Sequence, residues 1–460
     1  MKKWNLRTGL QFSVCMLLFA GLSKNIRAQN CSAAQNYALN RPGVVMIKTV
    51  YSANVYVNKM QMDERVFNRL LDSIQRVDTA GAIFSPEQKL DIVLKEMNNH
   101  PARFFKKSFD NIEQTQEITA TGTGFFITGD GYVATNCHLI DRDNAFIRRQ
   151  FILTSFQQIT DANIAAFENS WASKFTEQQK NILYNTYASV YSKLVPMTLS
   201  DLKKTVYVVY RKDGYGKGQT TETKAASIVI KGLPMPGKDV AVLKIDGDTS
   251  LPVLKIADEQ LPQVGEQLFV YGYPGPVTNN DFVAAESAIE PTLTTGIVSA
   301  IKKSVNGWPV IQMDANINHG SSGGPVCNSN GEVIGLTTFG SLENSGGLAA
   351  GLNFSIPVSI LNEFMDSAGI QPEVSKATKL FTAGLNCFDK HYYRKALKSF
   401  EATIKINDTY PTVQDYISTC KSRIDKGEDV ESKIVKYILL GVCLFLLALV
   451  LYIAFRKKRK

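Results

Sequence analysis

Gly124-Phe125-Phe126-Ile127-Thr128, then Gly129-Asp130-Gly131, then Tyr132-Val133-Ala134-Thr135, reads as two short strands folded about a glycine-containing turn. Outward from this hairpin the same texture recurs. Val44–Val50 precedes it, and Val206–Tyr210, Ser227–Ile230, Val240–Ile245, Gln267–Tyr271, Thr294–Ser299 and Val310–Met313 follow, with a further hairpin across Asn330-Gly331. Many short β-rich runs divided by Gly and Pro turns predict a mainly-β sandwich or pair of barrels, reaching from about residue 36 to 372. Two helical stretches interrupt it, at about 62–99 and 142–204. In the first, Asp63 stands as a cap before Val66, Leu70, Leu71, Ile74 and Val77, and Ser85-Pro86-Glu87-Gln88 is a capping box before Leu90, Val93 and Met97. In the second, Thr176-Glu177-Gln178-Gln179 repeats that box before Ile182, Leu183, Tyr187 and Val190. Both are read as insertions on the β framework.

The chain has 460 residues, 44% of them hydrophobic and 10% aromatic, which excludes a mostly disordered polypeptide and leaves room for several domains. Its formal charge of +9 is concentrated at the ends. Lys2, Lys3, Arg7, Lys24 and Arg27 stand in a leading stretch without an acid, and Arg456-Lys457-Lys458-Arg459-Lys460 closes the chain. The body between is nearly neutral, so the charge does not support a nucleic-acid-binding face and sits where membrane targeting would place it.

Residues 1–28 have the form of a secretory signal: a positive start, an apolar run from Leu10 to Leu22 and Ala28 as a small residue for cleavage. Ile26 is larger than such a site favours, and an uncleaved anchor is the alternative. Tyr437 to Phe455 holds no charge and is rich in Leu, Ile and Val. At ~1.5 Å per residue it is long enough for a hydrocarbon layer of ~30 Å, and the basic tail 456–460 after it predicts a cytoplasmic C-terminus with residues 29–436 outside, periplasmic or extracellular. Seven cysteines show no zinc spacing and no disulfide framework, and spacing leaves open whether Cys387 and Cys420 pair. Residues 374–425 read as helices. Gly384, Ala396 and Phe400 fall at tetratricopeptide-like spacing, with a plain helical stalk as the other reading and a surface for a protein partner as the expected use.

The chemistry centres on Gly320-Ser321-Ser322-Gly323-Gly324-Pro325. A serine hydroxyl is a weak nucleophile and needs a base for its proton and amide donors for the oxyanion. A glycine two residues before the serine lets the backbone curl so that N–H groups share one space. Such a loop alone is more often a turn, but two other stretches supply its partners. His138, one of four histidines, ends the hairpin in Thr135-Asn136-Cys137-His138. Asp239 leads the strand Val240–Ile245, placed to accept an imidazole N–H. The order His, Asp, Ser is that of the two-barrel serine proteases.

With these motifs together, the chain resembles the HtrA/DegP-type trypsin-like serine proteases of chymotrypsin fold. Gly122 to Ile127 with Thr135 to His138 is similar to that family's histidine motif, Asp239 to Lys244 to its aspartate motif, and Ile311 to Ala315 with Gly320 to Pro325 to its serine motif. Thr295 to Ser299 and Phe354 to Pro357 also fit. The resemblance implies Ser322 as nucleophile, His138 as general base and then acid, and Asp239 as its orienter. It implies an oxyanion hole built on the backbone of Gly320, Ser321 and Ser322, in which the Gly320 and Ser322 N–H groups point inward and Ser321 completes the turn. No cofactor is implied. The resemblance also implies that Asn316, six residues before the nucleophile, lies at the base of the specificity pocket; it is uncharged, which with the resemblance implies cleavage after small or aliphatic residues.

Ser321 and His319 depart from the family's usual asparagine and proline, the stretch between His138 and Asp239 is much longer, and no PDZ domain is evident after residue 370. The function expected is that of a membrane-anchored serine endopeptidase acting on proteins or peptides in quality control or regulated proteolysis. The rival is a protein-binding module that keeps the barrels and recruits partners through its helical parts. The physiological substrate, the activating signal and the oligomeric state are not readable from the sequence.

Overall fold

The structure, a computed structural model, describes residues 31–458 apart from 80, 82–83, 215–217, 259, 276–288 and 343–347. The expected signal at 1–28 lies outside the described residues. Helix α1 (Ala33–Asn40) and one 3₁₀ turn (Arg41–Gly43) lead into the first of two barrels. Its strands are β1 (Val44–Met62), β2 (Phe105–Phe126), β3 (Tyr132–Thr135), β4 (Thr198–Leu199), β5 (Lys203–Gly214), β6 (Gly218–Lys231) and β7 (Ala241–Lys244). They lie in the order β2-β3-β7-β6-β5-β1-β4, and the pairing of β1 with β2 closes the ring. Val45, Ile47, Phe126, Val133, Val208 and Leu243 fill it.

The second barrel closes in the order β10-β13-β12-β11-β8-β9. Its strands are β8 (Gln267–Gly272), β9 (Thr292–Lys303), β10 (Pro309–Met313), β11 (Pro325–Cys327), β12 (Val333–Leu342) and β13 (Leu348–Pro357). Leu268, Val270, Ile311, Met313 and Val326 form its interior. A shared cluster of Val44, Phe125, Val242, Phe269, Tyr271, Leu336 and Ile356 joins the two barrels, and α8 (Val358–Ser367) packs Leu361 and Met365 against it. This is the two-barrel architecture that the short strands predicted. Closure matters for the site because it leaves few exposed strand edges and fixes where each connecting loop emerges.

The first strand differs from the expectation. It runs on from Val50 to Met62 and pairs with β2 from Val44↔Phe125 to Met62↔Phe105, with one irregularity near Asn58. The two strands therefore leave the barrel as a long ribbon. At the ribbon's end come α2 (Glu64–Thr79), α3 (Pro86–Asn99) and α4 (Pro101–Phe104), while α6 (Asn144–Trp171) and α7 (Glu177–Lys193) follow β3. Asp63 Oδ1 accepts from the Arg65 and Val66 N–H groups, and both expected capping boxes, at Ser85 and Thr176, are formed.

The two stretches that look like separate insertions in sequence share one core. Tyr51, Val55 and Val57 of the ribbon bury against Leu94, Phe104, Phe151, Phe167, Leu183 and Val190. A single helical subdomain thus stands on the β1–β2 ribbon. Its second part ends at Lys193, earlier than expected, because residues from Thr198 onward pair with β1.

Residues after the barrels form α9 (Lys376–Asp389), α10 (Tyr393–Ile406) and α11 (Val413–Asp425), closed on Phe381, Ala396, Phe400, Tyr410 and Val413. This unit is fastened to the first barrel side. The Val253 N–H donates to Thr378 Oγ1 at 3.0 Å and Asn407 Nδ2 donates to the Ser250 carbonyl at 3.2 Å. Buried Asp213 at the end of β5 donates its N–H to the Thr409 carbonyl at 3.0 Å, while its Oδ2 accepts the Thr412 N–H. Cys387 and Cys420 are both free thiols. The last helix, α12, runs Val430–Lys458. Among the described residues no helix is long and apolar enough to cross a membrane. Of the span expected at 437–455, the side chains described are those of 439–451, and they are exposed.

Candidate active site

The register of β3 against β7 brings the first two residues of the site together. The strands are antiparallel with Thr135 opposite Ala241, so the chain leaving β3 and the chain entering β7 lie at the same end. His138 sits in α5 (Cys137–Ile140), just past β3, and Asp239 stands just before β7. His138 Nδ1 lies 2.6 Å from Asp239 Oδ2, and the His138 backbone N–H donates to Asp239 Oδ1 at 2.8 Å. Thr338 Oγ1, from β12, donates to the same Oδ2 at 3.0 Å.

The Asp239 side chain has no solvent exposure, whereas the His138 ring keeps 32% of its surface open. A fully buried carboxylate costs several kcal/mol of lost hydration unless donors replace water, and three donors converge on this one. With Nδ1–H engaged by Oδ2, the imidazole's Nε2 is left as the free, proton-accepting nitrogen.

Ser322 comes from the other barrel, on the connection between β10 and β11. This loop is held from both sides. Thr123 of β2 donates its hydroxyl to the Gly320 carbonyl at 2.7 Å and its N–H to the Ser322 carbonyl at 2.8 Å. From β12, Thr337 accepts the Gly323 N–H on its carbonyl at 2.8 Å and donates its hydroxyl to the Ser321 carbonyl. Gly320 has φ +98°, and a Cβ there would stand 2.3 Å from the Tyr273 carbonyl oxygen. Only glycine tolerates both constraints.

The Ser321 N–H donates to the Asn318 carbonyl at 2.9 Å, so this amide is used within the turn. Among the described residues the Gly320 and Ser322 N–H groups donate to no protein acceptor. The Ser322 hydroxyl donates to the Thr338 carbonyl at 3.0 Å, and among the described residues no hydrogen bond joins it to His138. A serine side chain turns between staggered wells on the picosecond-to-nanosecond scale when exposed, and such contacts commonly tighten only with substrate in place.

The remaining candidates are also located. Asn316 is exposed and its carbonyl accepts the Thr294 hydroxyl at 2.9 Å. Asp314 Oδ1 accepts the Ile297 N–H at 2.6 Å, which holds that carboxylate on the β9 backbone. Cys137, the neighbour of His138, is buried and donates to the Gly232 carbonyl. Burial, followed by the charge of Asp239, pushes its thiol up to about 11, so it stays protonated and unreactive at neutral pH.

Three contributors are not singled out in the sequence reading: Thr338, Thr123 and Asn136. Asn136 is fully buried and its amide donates to the Asp239 carbonyl at 2.7 Å. Thr123 belongs to the histidine motif, and its fixed place between two glycines was a usable signal. Thr338 carried a weaker one: a hydroxyl in a buried strand must find a partner.

Residues 122–336 match the trypsin-like peptidase domain family. A probable periplasmic serine endoprotease, DegP-like, of Rhizobium meliloti (strain 1021) is 26% identical over 251 residues, covering 54% of this chain and 33% of that protein. A protein of the same description from Pseudomonas fluorescens is 37% identical over 144 residues, covering 31% and 27%. The serine endoprotease DegS of Salmonella typhimurium is 33% identical over 133 residues, covering 28% and 34%. The chain thus spans about a third of the length of these relatives. The likeness to the trypsin-like peptidase domain family takes in Thr123, His138, Asp239 and Ser322, and the relatives named are described as serine endoproteases.

Proposed function

We propose that this chain, built around its trypsin-like serine peptidase domain, is an endopeptidase that cleaves protein or peptide substrates through an acyl-enzyme. The observation that carries the reading is the 2.6 Å contact between His138 Nδ1 and the fully buried Asp239. In the proposed cycle Ser322 Oγ attacks the substrate carbonyl carbon while His138 Nε2 takes its proton. The oxyanion that forms is received by the Gly320 and Ser322 N–H groups. His138 then protonates the leaving amine, and water repeats the sequence on the acyl-enzyme. A fluorophosphonate probe applied to the full-length protein tests this: covalent adduct on Ser322, with degradation of unfolded casein, is the expected result. An unlabelled Ser322 and intact casein would leave the binding-module reading in its place.

Specificity is proposed for small or aliphatic residues before the cut. Asn316 brings no charge to the pocket, and Asp314 is engaged by the Ile297 N–H. A buried Lys or Arg side chain would lack the carboxylate that offsets its desolvation. In a mixed peptide library read by mass spectrometry, cuts are expected after Val, Ala and Leu. Cuts mainly after Lys and Arg would overturn the pocket assignment.

The compartment proposed is outside the cytoplasm, as the leading 28 residues and the "periplasmic" relatives suggest, with anchoring through residues 437–455. The support is in the sequence: Tyr437 to Phe455 holds no charge and Arg456 to Lys460 follow it directly. The helices at 376–425, where Gly384 lies against the Phe400 ring, are proposed as a tetratricopeptide-like surface for a protein partner. Protease added to intact spheroplasts is expected to digest residues 29–436 and spare a C-terminal tag. Loss of the tag in unbroken cells would reject the topology.

A further inference from the structure

Helix α1 is too short to be stable alone, at eight residues. A helix that only covered a barrel would turn apolar residues inward at positions four apart. Here the inward positions are Asn36 and Asn40, 0% and 2% exposed. Burying two amides is unfavourable unless each polar atom is paired, and these are paired almost entirely with one region. The Tyr271 hydroxyl donates to Asn36 Oδ1 at 2.7 Å, and Asn40 Nδ2 donates to the same oxygen at 3.0 Å. Asn36 Nδ2 donates to the Asn328 carbonyl at 2.9 Å and Asn40 Nδ2 to the Gly331 carbonyl at 3.1 Å. The Cys31 N–H adds a bond to the Ser329 carbonyl at 2.8 Å.

Both targets lead to the nucleophile. Tyr271 is on β8, and its carbonyl oxygen stands where a Cβ on Gly324 would come within 2.0 Å. At the next residue, Gly272, a Cβ would stand 2.8 Å from the Ser321 Cα. Strand β8 is thus the floor on which residues 321–324 rest. Asn328 and Gly331 belong to the turn that follows β11, the strand the loop feeds directly. Burial holds the Tyr271 phenol far above its usual range, so it remains a donor throughout the accessible pH range.

We propose that α1 positions the nucleophile loop, with the Asn36–Tyr271 hydrogen bond as its working contact. Asn36 and Tyr271 are positioning residues: they touch neither substrate nor the reacting atoms, and they act through the β8 backbone beneath Gly324. The proposal rests on the serine peptidase reading for its kinetic consequence but not for its structural one.

The test uses the full-length chain with Asn36→Ala, Tyr271→Phe, the double variant, and Gln35→Ala as a control on the same helix. Gln35 makes no contact with β8: its Nε2 donates to Asp389 of α9 at 2.9 Å and its Oε1 accepts the Ser32 N–H at 2.8 Å, so its removal weakens the cap of α1 while leaving the Asn36–Tyr271 bond in place. Each single variant at 36 or 271 is expected to slow fluorophosphonate labelling of Ser322 and to lower kcat about tenfold with KM unchanged, the scale of one buried hydrogen bond. The double variant should fall no further than Asn36→Ala, because the two residues share the bond. Gln35→Ala should label at the wild-type rate. Amide hydrogen exchange at residues 320–327 should quicken in both single variants, a readout that stands even if the wild type fails to label and the peptidase reading is lost. Exchange in that loop unchanged in both variants, or labelling within twofold of wild type despite a lowered Tm, would show α1 to be structural only and overturn the proposal.

Discussion

Ser322→Ala is expected to lower kcat by about 10⁴-fold or more while leaving the fold in place, because triad members act as a unit and the residual rate comes from binding and the oxyanion hole alone. The structure makes the variant a clean one. Among the described residues the Ser322 hydroxyl makes one hydrogen bond, to the Thr338 carbonyl, and the loop's shape is set by backbone groups held by Thr123 and Thr337. Removing one partly exposed hydroxyl from that position should change stability by no more than about 1 kcal/mol. The measurement is casein turnover in material purified free of host proteases, with circular dichroism and a urea unfolding curve to establish the fold. Wild-type turnover by the variant would remove Ser322 from the nucleophile's role. Loss of turnover together with a large fall in the unfolding midpoint would point to a structural function for the residue.

What could be read from the sequence followed how local the signal was. The hairpin that presents His138 is legible because the apolar runs Gly124–Thr128 and Tyr132–Thr135 flank a glycine-containing turn, and the structure places β3 at Tyr132–Thr135 as expected while β2 ends at Phe126. The capping boxes at Ser85 and Thr176 are legible for the same reason: a hydroxyl and a Gln three residues later satisfy each other's backbone. The first half of β2 is not. Lys106 to Glu117 is polar and its side chains are largely exposed, so its strand character comes from pairing with β1, a partner distant in sequence. The common core of the two helical stretches was hidden likewise, since no local pattern says that the rings of Phe67 and Phe167 pack together, 6.2 Å between centroids. At the site, His138, Asp239 and Ser322 sit in recognisable motifs, but Thr338 is recognisable only by its place across the barrel interface, 3.0 Å from Asp239.

That placement leads to the second large effect. Asp239→Asn is expected to cut kcat by about 10⁴-fold at neutral pH with little change in KM. Among the described residues, three groups hydrogen-bond to the side chain and all are donors in the native arrangement: the His138 N–H, His138 Nδ1–H and the Thr338 hydroxyl. A carboxylate accepts all three. An amide offers one accepting oxygen and one NH₂, so whichever way it turns, a donor meets a donor. If the NH₂ faces Nδ1, the imidazole relieves the conflict by moving its proton to Nε2, and the nitrogen that should take the Ser322 proton is then already protonated. If instead the oxygen faces Nδ1, the NH₂ faces the His138 backbone N–H in a buried site, and the chain there must shift. Either outcome disables the base, and the first does so without unfolding the protein. Thr338→Val separates these contributions. It removes one of the three donors and leaves the tautomer intact, so its loss should be about tenfold, the size of one charge-assisted hydrogen bond. Fluorophosphonate labelling rates for the two variants at pH 7, beside their unfolding midpoints, test the ordering. Asp239→Asn labelling within tenfold of wild type would mean that the buried carboxylate does not govern the histidine, and that a different group orients the base.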